Sequence, residues 1–223
     1  MKKQPRIWAV VPVKSFARAK ARLAPLLDAP QREQLARAML EDVLTALQKL
    51  DALDNILVVS RDAGAGEIAI AHGASTLDDP FENGPNAAIR LAVPVLREAG
   101  VDAMIVVPAD VPQTEADELL PILDALRCAS VALVPAVRDG GTNLLGCAPV
   151  DMIEPCFGPD SFAQHMSAAK RAGIEPRVFA CTSLSRDIDR PDDILEFRAD
   201  RETRAGAYLH RALTNSNLAA CAQ

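Results

Sequence analysis

Four cations fall within nine residues directly behind an apolar run: Lys14, Arg18, Lys20 and Arg22 follow Ile7-Trp8-Ala9-Val10-Val11-Pro12-Val13. An apolar strand that ends in a basic loop brings positive charge to the carboxyl edge of a sheet, where open α/β proteins bind phosphorylated ligands. Val106-Val107-Pro108-Ala109-Asp110 repeats the pattern with the opposite sign, placing a carboxylate after a second apolar run. Cations for phosphates beside an acid for Mg²⁺ point to nucleotide chemistry. Lys14, Arg18 and Arg22 are spaced by four and would share one face of a helix, with Lys20 off it. The plainer alternative is a solvated basic face. Pro12 lacks a backbone donor, so side chains must do much of the anion binding that a glycine-rich loop does through N–H groups.

Asp110 lies between Pro108 and Pro112 and is either a turn residue or a metal ligand. Mg²⁺ bound with a nucleotide needs only one or two protein carboxylates, because phosphate oxygens complete its shell. A second acid is available in Arg186-Asp187-Ile188-Asp189-Arg190-Pro191, where alternate residues of an extended segment share a side. We assign Asp187 to the metal and Asp189 to the cap of the helix that Pro191 opens. Asp62, just past another strand, is a third metal candidate, against its plainer reading as a loop acid. In Phe157-Gly158-Pro159-Asp160-Ser161, Gly158 can present N–H groups where Ser161 starts a helix, and helix N-termini hold phosphate or carboxylate. His165, one turn on, either faces the same anion or is packed. Asn86 either reads a ribose or base or simply caps a helix. Asp139-Gly140-Gly141-Thr142-Asn143, taken alone, is a hairpin signal.

The elements that would position these groups alternate in the manner of a βαβ architecture. Strands are predicted over 7–13, 55–60, 103–107, 131–137 and 142–147, with edge segments at 75–77 and 176–179. Helices are predicted over 30–50, where Leu35, Met39, Val43 and Leu47 give one buried face, and over 64–72, 86–99, 114–127 and 161–172, with another opening at Arg190 or Pro191. The glycines between 131–137 and 142–147 make a hairpin, so the sheet starts parallel and becomes mixed. The tail beyond Tyr208 is polar and rich in small residues, which points to partly irregular chain. The whole is one domain over 1–223, with its core over about 7–200.

The chain has 223 residues, 49% of them hydrophobic, and 24 basic against 30 acidic side chains give a net charge of −6. That balance argues against a nucleic-acid partner, whose phosphates an acidic surface repels. The apolar run behind the basic first residues stops at Lys14, short of what a secretory signal or a membrane span requires. Cys128, Cys147, Cys156, Cys181 and Cys221 form no C-x-x-C pair and read as reduced thiols of a cytoplasmic protein.

In order along the chain, Pro12-Val13-Lys14 with Ala19-Lys20-Ala21-Arg22-Leu23, Pro85-Asn86-Ala87-Ala88, Ala109-Asp110-Val111-Pro112, Gly141-Thr142-Asn143, Phe157-Gly158-Pro159-Asp160-Ser161 with His165, and Asp187-Ile188-Asp189-Arg190-Pro191 resemble the 2-phospho-L-lactate guanylyltransferase family of coenzyme F420 biosynthesis. The resemblance implies a nucleotidyltransferase fold, an α/β mixed sheet flanked by helices similar to glycosyltransferase-A domains. It also implies transfer of GMP from GTP to 2-phospho-L-lactate, phosphoenolpyruvate or 3-phospho-D-glycerate. By the same resemblance, Lys14, Lys20 and Arg22 hold GTP phosphates, Asn86 lies near the nucleoside, and Asp110 and Asp187 hold Mg²⁺. Thr142, Gly158 and Ser161 then hold the acid, Asp110, Asp187 and Lys20 form the catalytic set, and a homodimer is expected. The chain departs from the family pattern with Asn83-Gly84 ahead of Pro85 and with Arg190 where threonine is common. The rival readings are a sugar-nucleotide or molybdopterin-type nucleotidyltransferase, which would usually carry a glycine-rich first loop, and a non-catalytic GTP-binding domain.

Overall fold

The computed structural model describes residues 4–128, 130–136, 140–184, 186–197 and 202–220. β1 (Ile7–Pro12) lies inside the sheet, paired in parallel with β2 (Asn55–Val59) on one side and β4 (Ala103–Val106) on the other. β3 (Ser75–Leu77) extends the parallel half beyond β2. Past β4, β6 (Thr142–Ala148) runs antiparallel to both β4 and β5 (Ser130–Pro135), and β7 (Arg177–Val178) adds in parallel to β5. Among the described residues the sheet therefore has seven strands in the order β3-β2-β1-β4-β6-β5-β7, the mixed sheet expected. The strand predicted to Val137 is described only to Pro135, since Val137 lies outside the described residues together with Arg138 and Asp139 of the turn.

Helices cover both faces, which is why the central strands are apolar throughout rather than alternating. On one face Ala9, Val11, Ile56, Val58 and Ile105 share a core with Leu35, Met39, Val43 and Leu47 of α1 (Ala29–Leu47). On the other, Val10, Leu57, Met104 and Val106 pack with Ala88, Ile89, Ala92 and Leu96 of α3 (Pro85–Glu98). Each fully buried Leu or Val in these layers contributes about 1.5–3 kcal/mol of transfer free energy. Asp28 and Gln31 form a reciprocal capping box that starts α1.

The other helices are α2 (Ala63–Ala71), α4 (Ala116–Ala125), α5 (Ser161–Arg171) and α6 (Pro191–Phe197). Three local expectations change. Lys14 to Arg22 is not one helix: 3₁₀ turns at Phe16–Arg18 and Ala21–Leu23 flank Lys20, whose φ of 53° breaks the helical path. Asn86 is not a cap, because Gly84, at φ 84°, occupies that position and Pro85 opens the helix. The described part of the tail beyond Tyr208 is helical to Ala220, as part of α7 (Arg204–Ala220). Ala205, Leu209 and Ala212 recur at helical spacing and are buried, while Asp42 of α1 accepts the Arg204 and Ala205 N–H groups at 2.9 Å each. Among the described residues no helix is long and apolar enough to cross a membrane.

Candidate active site

The carboxyl ends of β1 and β4 open into a cleft of about 480 Å³, within the range of small-ligand sites. Lys14, Lys20, Arg22, Asp110 and Asp189 all line it. Hydrogen bonds from Val13 N to Val59 O and from Val107 N to Val10 O, 2.9 and 3.0 Å, carry the sheet to the roots of both loops.

Each cation of the first loop has a different setting. Lys14 is exposed and has no ion pair among the described residues. The Arg18 guanidinium meets Glu82 at 2.7 Å, and the same carboxylate accepts the Ser15 N–H at 2.6 Å. Lys20 is the most enclosed, with a side chain 8% exposed that donates to Asp110 at 2.6 Å and lies 3.8 Å from Asp189. Arg22 reaches Asp189 from the solvent side. Lys20 holds this place from a left-handed backbone conformation, which costs a non-glycine residue about 1–2 kcal/mol.

The segment carrying the second pair of acids is tied down along its length. Glu118 accepts the Thr182 and Ser183 N–H groups and the Ser183 hydroxyl, Asn143 donates to Leu184 O at 2.7 Å, and Ile188 N donates to Asp110 O at 3.2 Å. Burial works to raise the Glu118 carboxyl, yet those donors hold it below its ordinary value. No cap bond from Asp189 is made among the described residues; instead Asp193, inside the first turn of α6, reaches back to accept the Asp189 and Arg190 N–H groups at 2.9 and 2.7 Å. Asp189 is thereby left to the cations.

Burial, then the Asp110 charge, push the Asp187 carboxyl above its ordinary value, with Asp189 adding to the effect and Lys20 opposing it. Three acids crowded around one ammonium form a place where a divalent cation would relieve repulsion. Among the described residues no three such side chains converge as a complete metal cage. A site finished by phosphate oxygens has that character, so the residues present fit Mg²⁺ delivered with a nucleotide. Asp62 does not join them. One of its oxygens caps α2 through Gly64 N and Ala65 N, and the other accepts the Phe16 N–H at 2.9 Å and the Ser15 hydroxyl at 3.2 Å. It fastens the basic loop to the frame, which is its plainer reading as a loop acid.

The residues expected to meet the acid occupy a second, buried arrangement. His165 Nε2 accepts the Cys156 N–H at 2.8 Å, which leaves the ring proton on Nδ1, 2.9 Å from the Thr142 hydroxyl. Ser161 Oγ donates to that hydroxyl at 3.2 Å. Burial lowers the His165 pKa to about 4, so the ring is neutral. Thr142 and Ser161 are 5% and 1% exposed, and they support the Phe157–Ser161 loop from beneath. Gly158, by contrast, is exposed at φ 138°, a conformation that favours glycine. Asn86 clamps the same loop, donating to Phe157 O at 2.9 Å and accepting Phe157 N–H at 2.7 Å. The hairpin joins this group through Gly140, whose carbonyl accepts the Phe162 N–H at 3.0 Å.

Sequence reasoning missed Asp79 and Glu82 as cleft residues, and Asn143, Glu118 and Asp193 as supports. The Asp-Asp-Pro-Phe-Glu-Asn-Gly-Pro run was visible as a loop, but nothing local says that Glu82 meets a cation of another loop or that Asp79 lines the cleft.

The seven-stranded mixed sheet flanked by helices has the fold class of nucleotidyltransferase and nucleotide-diphospho-sugar transferase structures. A nucleotide-diphospho-sugar transferase structure from Desulfovibrio desulfuricans G20 superposes with a TM-score of 0.74 over 93% of this chain and 95% of its own, at 18% identity. CMP:2-keto-3-deoxy-manno-octonic acid synthetase complexed with CTP gives 0.61 over 87% of this chain and 97% of its own, at 14% identity. Within that class, residues 7–216 match the family described as "Guanylyl transferase CofC like", and the chain belongs to it. Phosphoenolpyruvate guanylyltransferase of Conexibacter woesei is 37% identical over 95% of this chain and 96% of its own length. The enzyme of the same name from Roseiflexus castenholzii is 40% identical, over 85% and 86%. The 2-phospho-L-lactate guanylyltransferase of Methanothermobacter thermautotrophicus is 34% identical, over 91% and 89%.

Proposed function

We propose that this chain is a cytoplasmic enzyme that transfers GMP from GTP to a phosphorylated three-carbon acid, with phosphoenolpyruvate as the preferred acceptor, in coenzyme F420 biosynthesis. The observation that carries the reading is the ion-pair chain Asp110–Lys20–Asp189–Arg22 on the wall of the cleft that the exposed Lys14 also lines. Family membership supplies the guanylyl donor, and the names of the relatives supply the acceptor.

The acceptor brings its own nucleophile. A phosphate monoester has a second pKa near 6 and is mostly dianionic at pH 7, so no general base is needed. One of its oxygens attacks the α-phosphorus of GTP as the bond to the bridging oxygen of the β-phosphate breaks. Pyrophosphate leaves with that electron pair, and a guanosine diphosphate diester of the acid forms. The protein must bring two polyanions together and stabilise charge on the departing oxygens. Lys14, Lys20 and Arg22 bind the triphosphate, and the Phe157–Ser161 loop, with Gly158 uppermost, holds the acid over Thr142 and Ser161. Asp110 and Asp187 would hold Mg²⁺, which supplies charge neutralisation at the reacting phosphates when bound.

The test is pyrophosphate release from GTP with Mg²⁺, run with phosphoenolpyruvate, 2-phospho-L-lactate and 3-phospho-D-glycerate in parallel, with ATP and CTP controls and mass detection of the product. Fastest release with phosphoenolpyruvate and GTP is expected. Faster release with another acid overturns the acceptor, and silence with all three overturns the reaction.

A further inference from the structure

We infer that Asp79 reads the guanine base, accepting hydrogen bonds from its N1–H and 2-amino group; this rests on the guanylyl-transfer reading above. Four acids line the cleft: Asp79, Glu82, Asp110 and Asp189. Glu82 is spent on Arg18 and the Ser15 N–H, Asp110 on Lys20, and Asp189 on Arg22 and Lys20. Asp79 differs from all three. It is only 5% exposed, one of its oxygens accepts the Glu82 N–H at 3.1 Å, and the other has no hydrogen-bond partner among the described residues. That second oxygen is not sealed from the cleft, and Asp79 makes no ion pair among the described residues, so the oxygen is available to accept from a ligand there.

Its place in the sheet selects which part of the ligand. The basic loop follows β1, and Asp110 follows β4 on one side of it. The acid-side residues Thr142 and Ser161 lie further out on that same side, at β6 and α5. Asp79 lies on the opposite side, after β3, where its N–H bonds to Ser60 O behind β2 at 3.3 Å. With the triphosphate on the central cations and the acid toward β6, the nucleoside extends toward β3 and meets Asp79. Guanine presents two adjacent donors on its pairing edge, whereas adenine presents an acceptor at N1. A buried acceptor therefore favours guanine and leaves adenine opposed by like lone pairs, the kind of mismatch that discriminates strongly.

The experiment measures nucleotide binding by calorimetry in Mg²⁺ buffer without any acid, for the full chain and its Asp79→Asn variant, which keeps an acceptor for the Glu82 N–H. The ligands are GTP, xanthosine triphosphate and 2′,3′-dideoxy-GTP. Xanthine replaces the 2-amino donor by a carbonyl acceptor, which suits an amide and not a carboxylate. The expected result is a loss of about 10- to 100-fold in GTP affinity, with a gain for xanthosine triphosphate relative to GTP. Dideoxy-GTP should lose the same factor as GTP. Unchanged GTP affinity, or equal weakening of GTP and xanthosine triphosphate, overturns the inference. A loss that disappears with dideoxy-GTP also overturns it and assigns Asp79 to the ribose. A native chain that binds no GTP refutes the underlying guanylyl-transfer reading, whereas normal native binding with an insensitive variant refutes Asp79 alone.

Discussion

His165→Leu should destabilise the protein, flatten its stability profile in mild acid and weaken binding of the phosphorylated acid. The side chain is fully buried and joins the Cys156 N–H to the Thr142 hydroxyl. Leucine keeps much of the volume but orphans the Cys156 N–H and leaves the Thr142 hydroxyl with Ser161 as its partner, so a loss of about 1–3 kcal/mol is expected. The pH dependence follows from linkage. The unfolded imidazole titrates near its ordinary 6.5 and the folded one near 4, so the neutral ring's contribution is complete above 6.5 and lost as pH falls toward 4. With those two values the native protein should lose about 1 kcal/mol between pH 7.5 and 5.5, and about 2 kcal/mol by pH 5. The variant lacks this component. His72, also lowered by burial and then by the Arg204 charge, is common to both proteins and cancels in the difference. Urea unfolding at a series of pH values, at low protein concentration because the pI is near 5.1, measures that difference. Parallel kinetics should show a larger rise in KM for the acid than for GTP, since the ring supports the Phe157–Ser161 loop and not the basic loop. A difference in stability that stays constant from pH 7.5 to 5 would refute the burial argument, and equal changes in the two KM values would refute the positioning role.

Three further substitutions separate the remaining roles. Asp110→Asn removes the charge 2.6 Å from Lys20 and should cut kcat about 10²- to 10³-fold with a native circular dichroism spectrum; near-native turnover would take Asp110 out of the chemistry. Asp62→Ala should cost about 1–2 kcal/mol in thermal or urea unfolding through the lost α2 cap and loop tie, while the Mg²⁺ concentration for half-maximal turnover stays unchanged. A shifted metal requirement would restore Asp62 as a ligand. Asn86→Ala breaks both bonds to Phe157 and should raise KM for the acid more than for GTP, by about tenfold; the reverse order would return Asn86 to the nucleoside.

The frame was legible because it rests on local pattern. Apolar runs at 7–13, 55–60 and 103–107 had to be strands covered on both faces, and the four-residue spacing of Leu35, Met39, Val43 and Leu47 had to be one helix face. Near misses came where one residue's chemistry had two local uses. Asn86 had the composition of a cap, but Gly84 and Pro85 took that job. Asp189 had the position of a cap for α6, but its side chain pairs with Arg22 while Asp193, inside the helix, accepts the N–H groups of Asp189 and Arg190. The tail's polar composition concealed a narrow apolar stripe, Ala205, Leu209 and Ala212, for which α1 offers a partner.

By itself the sequence determined the α/β frame, the cations behind the first strand, the acid behind the fourth, and the ordered motifs that mark the family, because each depends on neighbours a few residues apart. Only the tertiary structure decided which acid serves which cation, since Lys20 and Asp110 are 90 residues apart and Arg22 and Asp189 are 167 apart. It also decided that Thr142, Ser161 and His165 form a buried hydrogen-bonded group and that Asp62 accepts from Phe16, Gly64 and Ala65 N–H groups and the Ser15 hydroxyl. It likewise places Asp79 on the cleft with one oxygen that has no hydrogen-bond partner among the described residues. A side chain's charge and hydrogen-bonding capacity are written in its identity, but what remains unspent for a ligand depends on every group that folding brings within reach.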